Sequence, residues 1–349
     1  MSVHMSWPAA ARRSAGLFCL VSAGLLWGTG GLTGTLLGRE AGLSPMAVAA
    51  GRLTAGGTLI MIFLIVTGRH RRPAGRAAWT RVALIGLLAA QFQCCYFCAV
   101  WLTSVAMATL VTIGSAPVIV QAASRLLGRP AAVRPATTCL ALAGLALLVG
   151  LPGSGFREGA MVASAALAVA AACGFATLTL LGGVAAEGLD ELTAVGYGFT
   201  AGGTALLVLA ALTSGVTFTP RPAAIGLLIA LGAGPTAIAY TLYFRGLRTM
   251  TASTGALLSL LEPLTGTILA VLLLGNRLDL AGVAGAAMLA AAVVLTARQS
   301  GRSGAVRLPP RVTAACSWGG ASRPPRNSDA QPATAASAAA TAKTTVRPW

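Results

Sequence analysis

Scanned for charge, the first 300 residues are a series of long apolar runs separated by short arginine-bearing segments. Stretches free of Asp, Glu, Lys and Arg occupy 14–38, 135–156, 159–186, 192–220, 222–244 and 280–297. Each suits the roughly 20 apolar residues with which an α-helix crosses about 30 Å of hydrocarbon. The run 82–124 holds 43 residues. At about 1.5 Å per residue it is twice the thickness of a bilayer core, so it predicts two helices. The turn between them belongs near Trp101, Leu102, Thr103 and Ser104, with the tryptophan in the interfacial belt. Two further runs carry one charge each: 41–68 holds Arg52 and 249–276 holds Glu262. The pattern predicts an all-α membrane protein of ten transmembrane helices.

The apolar runs repeat. YFCAVWLTSVAMATLVTIGSAP, from Tyr96 to Pro117, lines up with YFRGLRTMTASTGALLSLLEP, from Tyr243 to Pro263, and both continue to LLG, a loop and another apolar helix. The halves are offset by about 146 residues, with five helices in each. Because five is odd, the second half enters the membrane from the opposite side, which predicts two inverted five-helix repeats. That is a recurrent architecture of secondary transporters, with the substrate site near the midplane between the halves. The expected organisation is a cytoplasmic N-terminal tail at 1–13, a first repeat at 14–150, a second at 159–298 and a tail at 299–349. The tail is rich in Ser, Ala, Thr, Pro and Arg; such a composition buries no core, so it is expected to be a disordered, solvated extension in the cytoplasm.

Charge sets the orientation. The 25 basic against 8 acidic residues give +17, a balance that elsewhere suggests nucleic acid. Here the arginines gather in alternate loops: Arg12 and Arg13; Arg69, Arg71, Arg72, Arg76 and Arg81; Arg125, Arg129 and Arg134; Arg245 and Arg248; Arg298, Arg302 and Arg307. The other loops carry one each, at Arg39, Arg157, Arg221 and Arg277. Short cytoplasmic loops collect Lys and Arg, so both termini are expected in the cytoplasm, in a multi-pass protein of the cell membrane, with no nucleic-acid partner. Glu187, Asp190 and Glu191 make one dissenting loop. The start, ARRSAGLFCLVSAGLLWG, resembles a signal peptide but lacks a clear small-x-small site, so an uncleaved first helix is expected. None of the seven cysteines lies in an outer loop, and no disulfide is expected.

Glu262 is the only acidic residue inside an apolar run. If its helix starts near Thr251, it lies about 16 Å along, near the bilayer centre. A charge there costs at least about 2.5–3.5 kcal/mol, so it faces the bundle interior or a wet cavity. It is a candidate to carry a proton during transport, or a structural partner of Arg52 or of backbone groups. Pro263 has no N–H for the carbonyl of Ser259, and Pro117 likewise frees that of Ile113. Broken helices at matching places in inverted halves point to a binding site, the alternative being ordinary proline kinks. Pro235, in GAGP, is a third candidate hinge. Arg52, about 10 Å from the outer edge, could reach the interface, pair with Glu262 or face an anionic substrate group. Trp27, Tyr240 and Tyr243 are candidates to line a cavity, or simply to pack.

Other matches fail on context. Gly196, Gly198 and Ala201 fit GxGxxA but lie inside a span, where small residues, like Gly24 with Gly28 and Gly30 with Gly34, let helices approach. Cys95 and Cys98 form a lone CxxC, which reads as buried small hydrophobes. The histidines are His4 and His70, and no aspartate lies in a span, so neither catalysis, a metal nor another cofactor is expected.

The stretches LLWGTGG, AAGRLTAGG, ALGAGPTAIAYTLYFRGLRT and STGALLSLLEPLTGTILAVLLLGN resemble the EamA family of the drug/metabolite transporter superfamily. The resemblance covers roughly 15–298 and implies a ten-helix carrier of small metabolites, often an exporter of amino acids or related compounds. The acidic residue that the family usually places after LLG is missing: the chain reads LLGRP and LLGNR. The function expected is secondary active transport of an amino-acid-like or other small organic compound by alternating access. A proton is the candidate coupling ion, and monomer and homodimer are both left open. An uncoupled facilitator and a non-transporting membrane scaffold or receptor stand as alternatives.

Overall fold

The structure is a computed structural model that describes residues 9–129, 132–150, 157–184, 188–213, 215–275 and 277–302. His4, Glu187 and the tail from 303 onward lie outside the described residues. All regular elements among the described residues are helices: α1 (Ala9–Ala41), α2 (Pro45–Val66), α3 (Gly75–Leu102), α4 (Val105–Leu126), α5 (Pro135–Val149), α6 (Glu158–Gly182), α7 (Glu191–Thr213), α8 (Pro222–Gly232), a π-helical turn (Ala233–Ile238), α9 (Ala239–Leu247), α10 (Ala252–Leu258), α11 (Leu261–Leu274) and α12 (Leu280–Arg302). The eighth crossing comprises α8, the π turn and α9, the ninth comprises α10 and α11, and α12 is the tenth. Among the described residues nine crossings are long and apolar enough to span a membrane; α5, at 15 residues, is the short one. Helix α12 continues one turn beyond 298.

The long run 82–124 does break where the pattern predicts. Ser104 adopts an extended conformation and its hydroxyl accepts the Met107 N–H at 3.1 Å, capping α4 immediately after α3 ends. Trp101, beside the turn, is 83% exposed. Ser44 caps α2 in the same way, and Pro135 and Pro222 begin α5 and α8, where a missing N–H costs nothing.

Packing follows a two-fold plan. Helix α2 lies against α7 and α5 against α12, so each of these crossings meets its own repeat counterpart. The most extensive of the remaining contacts between the halves come in exchanged pairs: α3 on α6 is matched by α1 on the eighth crossing, α4 on α6 by α1 on α11, and α3 on α7 by α2 on α8. With five crossings in each half, this symmetry is that of an inverted repeat. Its centre is glycine-lined. A Cβ on Gly57 would stand 2.4 Å from the Thr200 nitrogen, and one on Gly203 would stand 2.4 Å from the Thr54 nitrogen. Backbones this close leave no room for a side chain, as small-residue seams between membrane helices require. Gly198 and Gly202 of α7 meet Gly86 of α3 in the same manner, and Gly24 and Gly28 seat α1 against the ninth crossing.

Candidate functional site

The second half bends twice at membrane depth, and each bend is built locally. Pro235 supplies no N–H to the carbonyl of Leu231, and the chain widens into the π turn there. The Thr236 hydroxyl donates to that carbonyl at 2.9 Å, so the acceptor is not abandoned in the membrane. The bulge wedges between α1 and α2: Pro235 faces Gly30, and Thr236 faces Gly56.

The ninth crossing in turn breaks at Ser259 and Leu260, between α10 and α11. Pro263 explains the break, but the Ser259 carbonyl is not left free as the sequence suggests. It accepts the Glu262 N–H at 2.9 Å in a tightened turn, while the Ser259 hydroxyl donates to Ala256 O at 2.8 Å. A second expectation is also corrected. Helix α4 runs unbroken through Pro117, so the matching breaks predicted in both halves occur in one. The position equivalent to Ser259 is Ile113, which has no hydroxyl with which to stabilise a tightened turn.

The break places Glu262 in the first turn of α11, where the helix dipole favours a carboxylate. Glu262 and Arg52 are close enough for their charges to interact, yet no ion pair joins them. The ion pairs among the described residues are Arg248 with Glu191 at 2.5 Å and Arg221 with Glu40 at 3.5 Å. Glu262 and Arg52 lie within the bundle and both keep partial exposure. Tyr96 and Tyr240 lie within electrostatic reach of both. The Arg52 Nε and the Trp27 Nε1 are buried with no hydrogen-bond partner among the described residues. Buried donors in that condition are costly unless something else satisfies them.

An aromatic cluster adjoins the two charges through Tyr240. The Trp27 ring is 5.1 Å from that of Tyr240, 4.8 Å from Tyr243 and 5.9 Å from Phe175. The Tyr243 hydroxyl bonds to the Thr179 hydroxyl at 2.9 Å. Phe92 joins this cluster to Tyr96, whose hydroxyl bonds to that of Thr109 at 2.8 Å. Arg52, Glu262, Trp27, Tyr240 and Tyr243 are thus brought together with Pro235 and the Ser259–Pro263 turn, whereas Pro117 contributes no break. Tyr96, Phe175 and Thr236 were not singled out from the sequence. Tyr96 carried a usable signal, as the repeat counterpart of Tyr243.

The two ends of the bundle are packed differently. At the arginine-rich end, α9 is wedged between α1 and α6: Gly246 fits against Leu20, and Gly182 against Phe244 and Leu247. Arg81 donates to the carbonyls of Leu181 and Val184, and the Arg248–Glu191 pair ties the α9–α10 turn to α7. Helix α6 also touches α10. Two-fold exchange would demand matching contacts of α1 with α3 and α4 at the other end. Among the described residues no comparable contact exists there.

Residues 14–150 and 162–298 each match the EamA-like transporter family. The chain is similar to a Bacillus subtilis (strain 168) protein named "Uncharacterized transporter YwfM", with 31% identity over 266 residues, covering 75% of this chain and 86% of the relative. A solved structure described only as "Crystal structure of protein" shares the fold, with a TM-score of 0.69 and 24% identity over 83% of this chain and all of the other. Two consecutive family matches that coincide with the two halves of a pseudo-symmetric bundle of apolar helices make this chain a multi-pass membrane transporter belonging to the EamA-like transporter family.

Proposed function

We propose that the protein is a secondary transporter of the cell membrane, with both termini in the cytoplasm, that exports a small amino-acid-like or related polar compound by alternating access. One observation carries the reading: a two-fold bundle is sealed at one end and lacks the matching seal at the other, around a deep site where Arg52 and Glu262 are near each other but unpaired. Arg52 offers donors to an anionic group, and Glu262 accepts from a cationic group or takes a proton. Alternation then exchanges the roles of the two repeats and carries the site from one side to the other.

Proteoliposomes test this. The parent should show substrate-dependent flux and accumulate substrate against a gradient when a proton gradient is imposed. Glu262→Gln should retain exchange and lose that accumulation. A specific observation also favours an uncoupled facilitator: the first turn of α11 gives Glu262 a structural reason to be acidic. Accumulation by Glu262→Gln equal to that of the parent would establish the facilitator and remove the proton.

A further inference from the structure

The seal at the arginine-rich end includes a hydrogen bond whose two-fold partner can be named. Tyr243 of α9 bonds to Thr179 of α6 at 2.9 Å, and the Thr179 hydroxyl also donates to its own helix, at Phe175 O. In the first half, Tyr96 of α3 is the repeat counterpart of Tyr243. The counterpart of Thr179 follows from LLWGTGGLT, Leu25–Thr33, laid on AACGFATLT, Ala171–Thr179, with glycine on glycine and threonine on threonine. The offset, about 146 residues, is that of Pro117 and Pro263, and it also relates Thr54 to Thr200 and Gly57 to Gly203 across the central seam. Thr179 therefore maps to Thr33.

Thr33 stands ready in the same posture. Its hydroxyl donates to Thr29 O at 2.9 Å, as that of Thr179 donates to Phe175 O at 2.9 Å, so an oxygen lone pair stays available for a second donor. Tyr96 is occupied differently: its hydroxyl is held by Thr109 of the neighbouring α4. Helices α1 and α3 make no contact comparable to that of α6 with α9.

We propose that Tyr96 and Thr33 form the second latch of the protein: when the arginine-poor end closes, Tyr96 leaves Thr109 and bonds Thr33, while Tyr243 and Thr179 part. The inference rests on the alternating-access reading above. Tyr96 is suited to transmit site occupancy, because it sits within electrostatic reach of both Glu262 and Arg52. The exchange of partners by Tyr96 thus accompanies the approach of α3 to α1 and links the contents of the site to closure of that end.

The test uses full-length protein in which the seven native cysteines are replaced and one of two cysteine pairs is introduced, at 179 and 243 or at 33 and 96. Dibromobimane, which becomes fluorescent on joining two nearby thiols, reports each pair. The 179/243 pair should react readily in the resting protein and the 33/96 pair slowly. Adding Glu191→Gln, which loosens the arginine-rich end, should lower the first yield and raise the second about 2- to 5-fold, the range expected from losing a partly exposed ion pair. In the otherwise native chain, Tyr96→Phe keeps the ring and should slow flux, as should Tyr243→Phe, with the two displacing the resting balance in opposite directions. Loss of the 179/243 signal with no gain at 33/96 would overturn the latch and leave alternation standing. Failure of both pairs to respond to Glu191→Gln would overturn alternation and the latch together.

Discussion

Arg52 and Glu262 show how far a one-dimensional reading reaches. Their depths follow from residue counts, because each residue of a helix advances about 1.5 Å. Whether they touch depends on the rotation of α2 and α11 about their axes, which residue counts leave open, and the structure keeps them apart. Unpaired charges at this depth are expensive, and under the proposed function a substrate between them would offset that cost. Arg52→Gln should therefore reduce substrate-dependent flux at least 10-fold in proteoliposomes, while monodispersity and thermal midpoint change little. Thr236 predicts the opposite combination. Its hydroxyl donates to the carbonyl that Pro235 deprives of its usual helical partner, so Thr236→Val should lower stability by about 1–3 kcal/mol, seen as an earlier thermal transition of the purified protein.

At the scale of elements, the crossings and the α3–α4 turn were legible from charge spacing alone. So was the likelihood of a break near Pro263, since a proline within a span frees a carbonyl. The same rule fails at Pro117, because a missing N–H only permits a break; the hydroxyl of Ser259 and the tightened Glu262 turn stabilise one. The π turn at Pro235 was legible as a hinge, but not its repair by Thr236 or its fit against Gly30 and Gly56, which depend on tertiary contacts. A direct comparison follows. Pro263→Ala should restore a continuous ninth crossing and cut flux severely with normal expression, whereas Pro117→Ala should leave flux within about twofold, since α4 already runs through that position.

For the whole molecule, the repeat in the sequence announced the two-fold plan, and the contacts between helices obey it except where one end is sealed. That exception was invisible in the sequence, because which crossings touch at each end depends on how the helices pack, which residue spacing leaves open. The seal depends on few polar contacts, chiefly Arg81 with the end of α6 and Arg248 with Glu191. Hydrogen–deuterium exchange on detergent-solubilised parent and Glu191→Gln protein tests the central claim most directly, as it reads both ends at once without a known substrate. Alternation predicts a reciprocal change: faster exchange in peptides spanning the α6–α7 and α9–α10 connections, together with slower exchange around the α3–α4 turn as that end closes. Faster exchange at the arginine-rich end with no slowing at the other would mean that the mutation loosens one loop and that the two ends are not coupled.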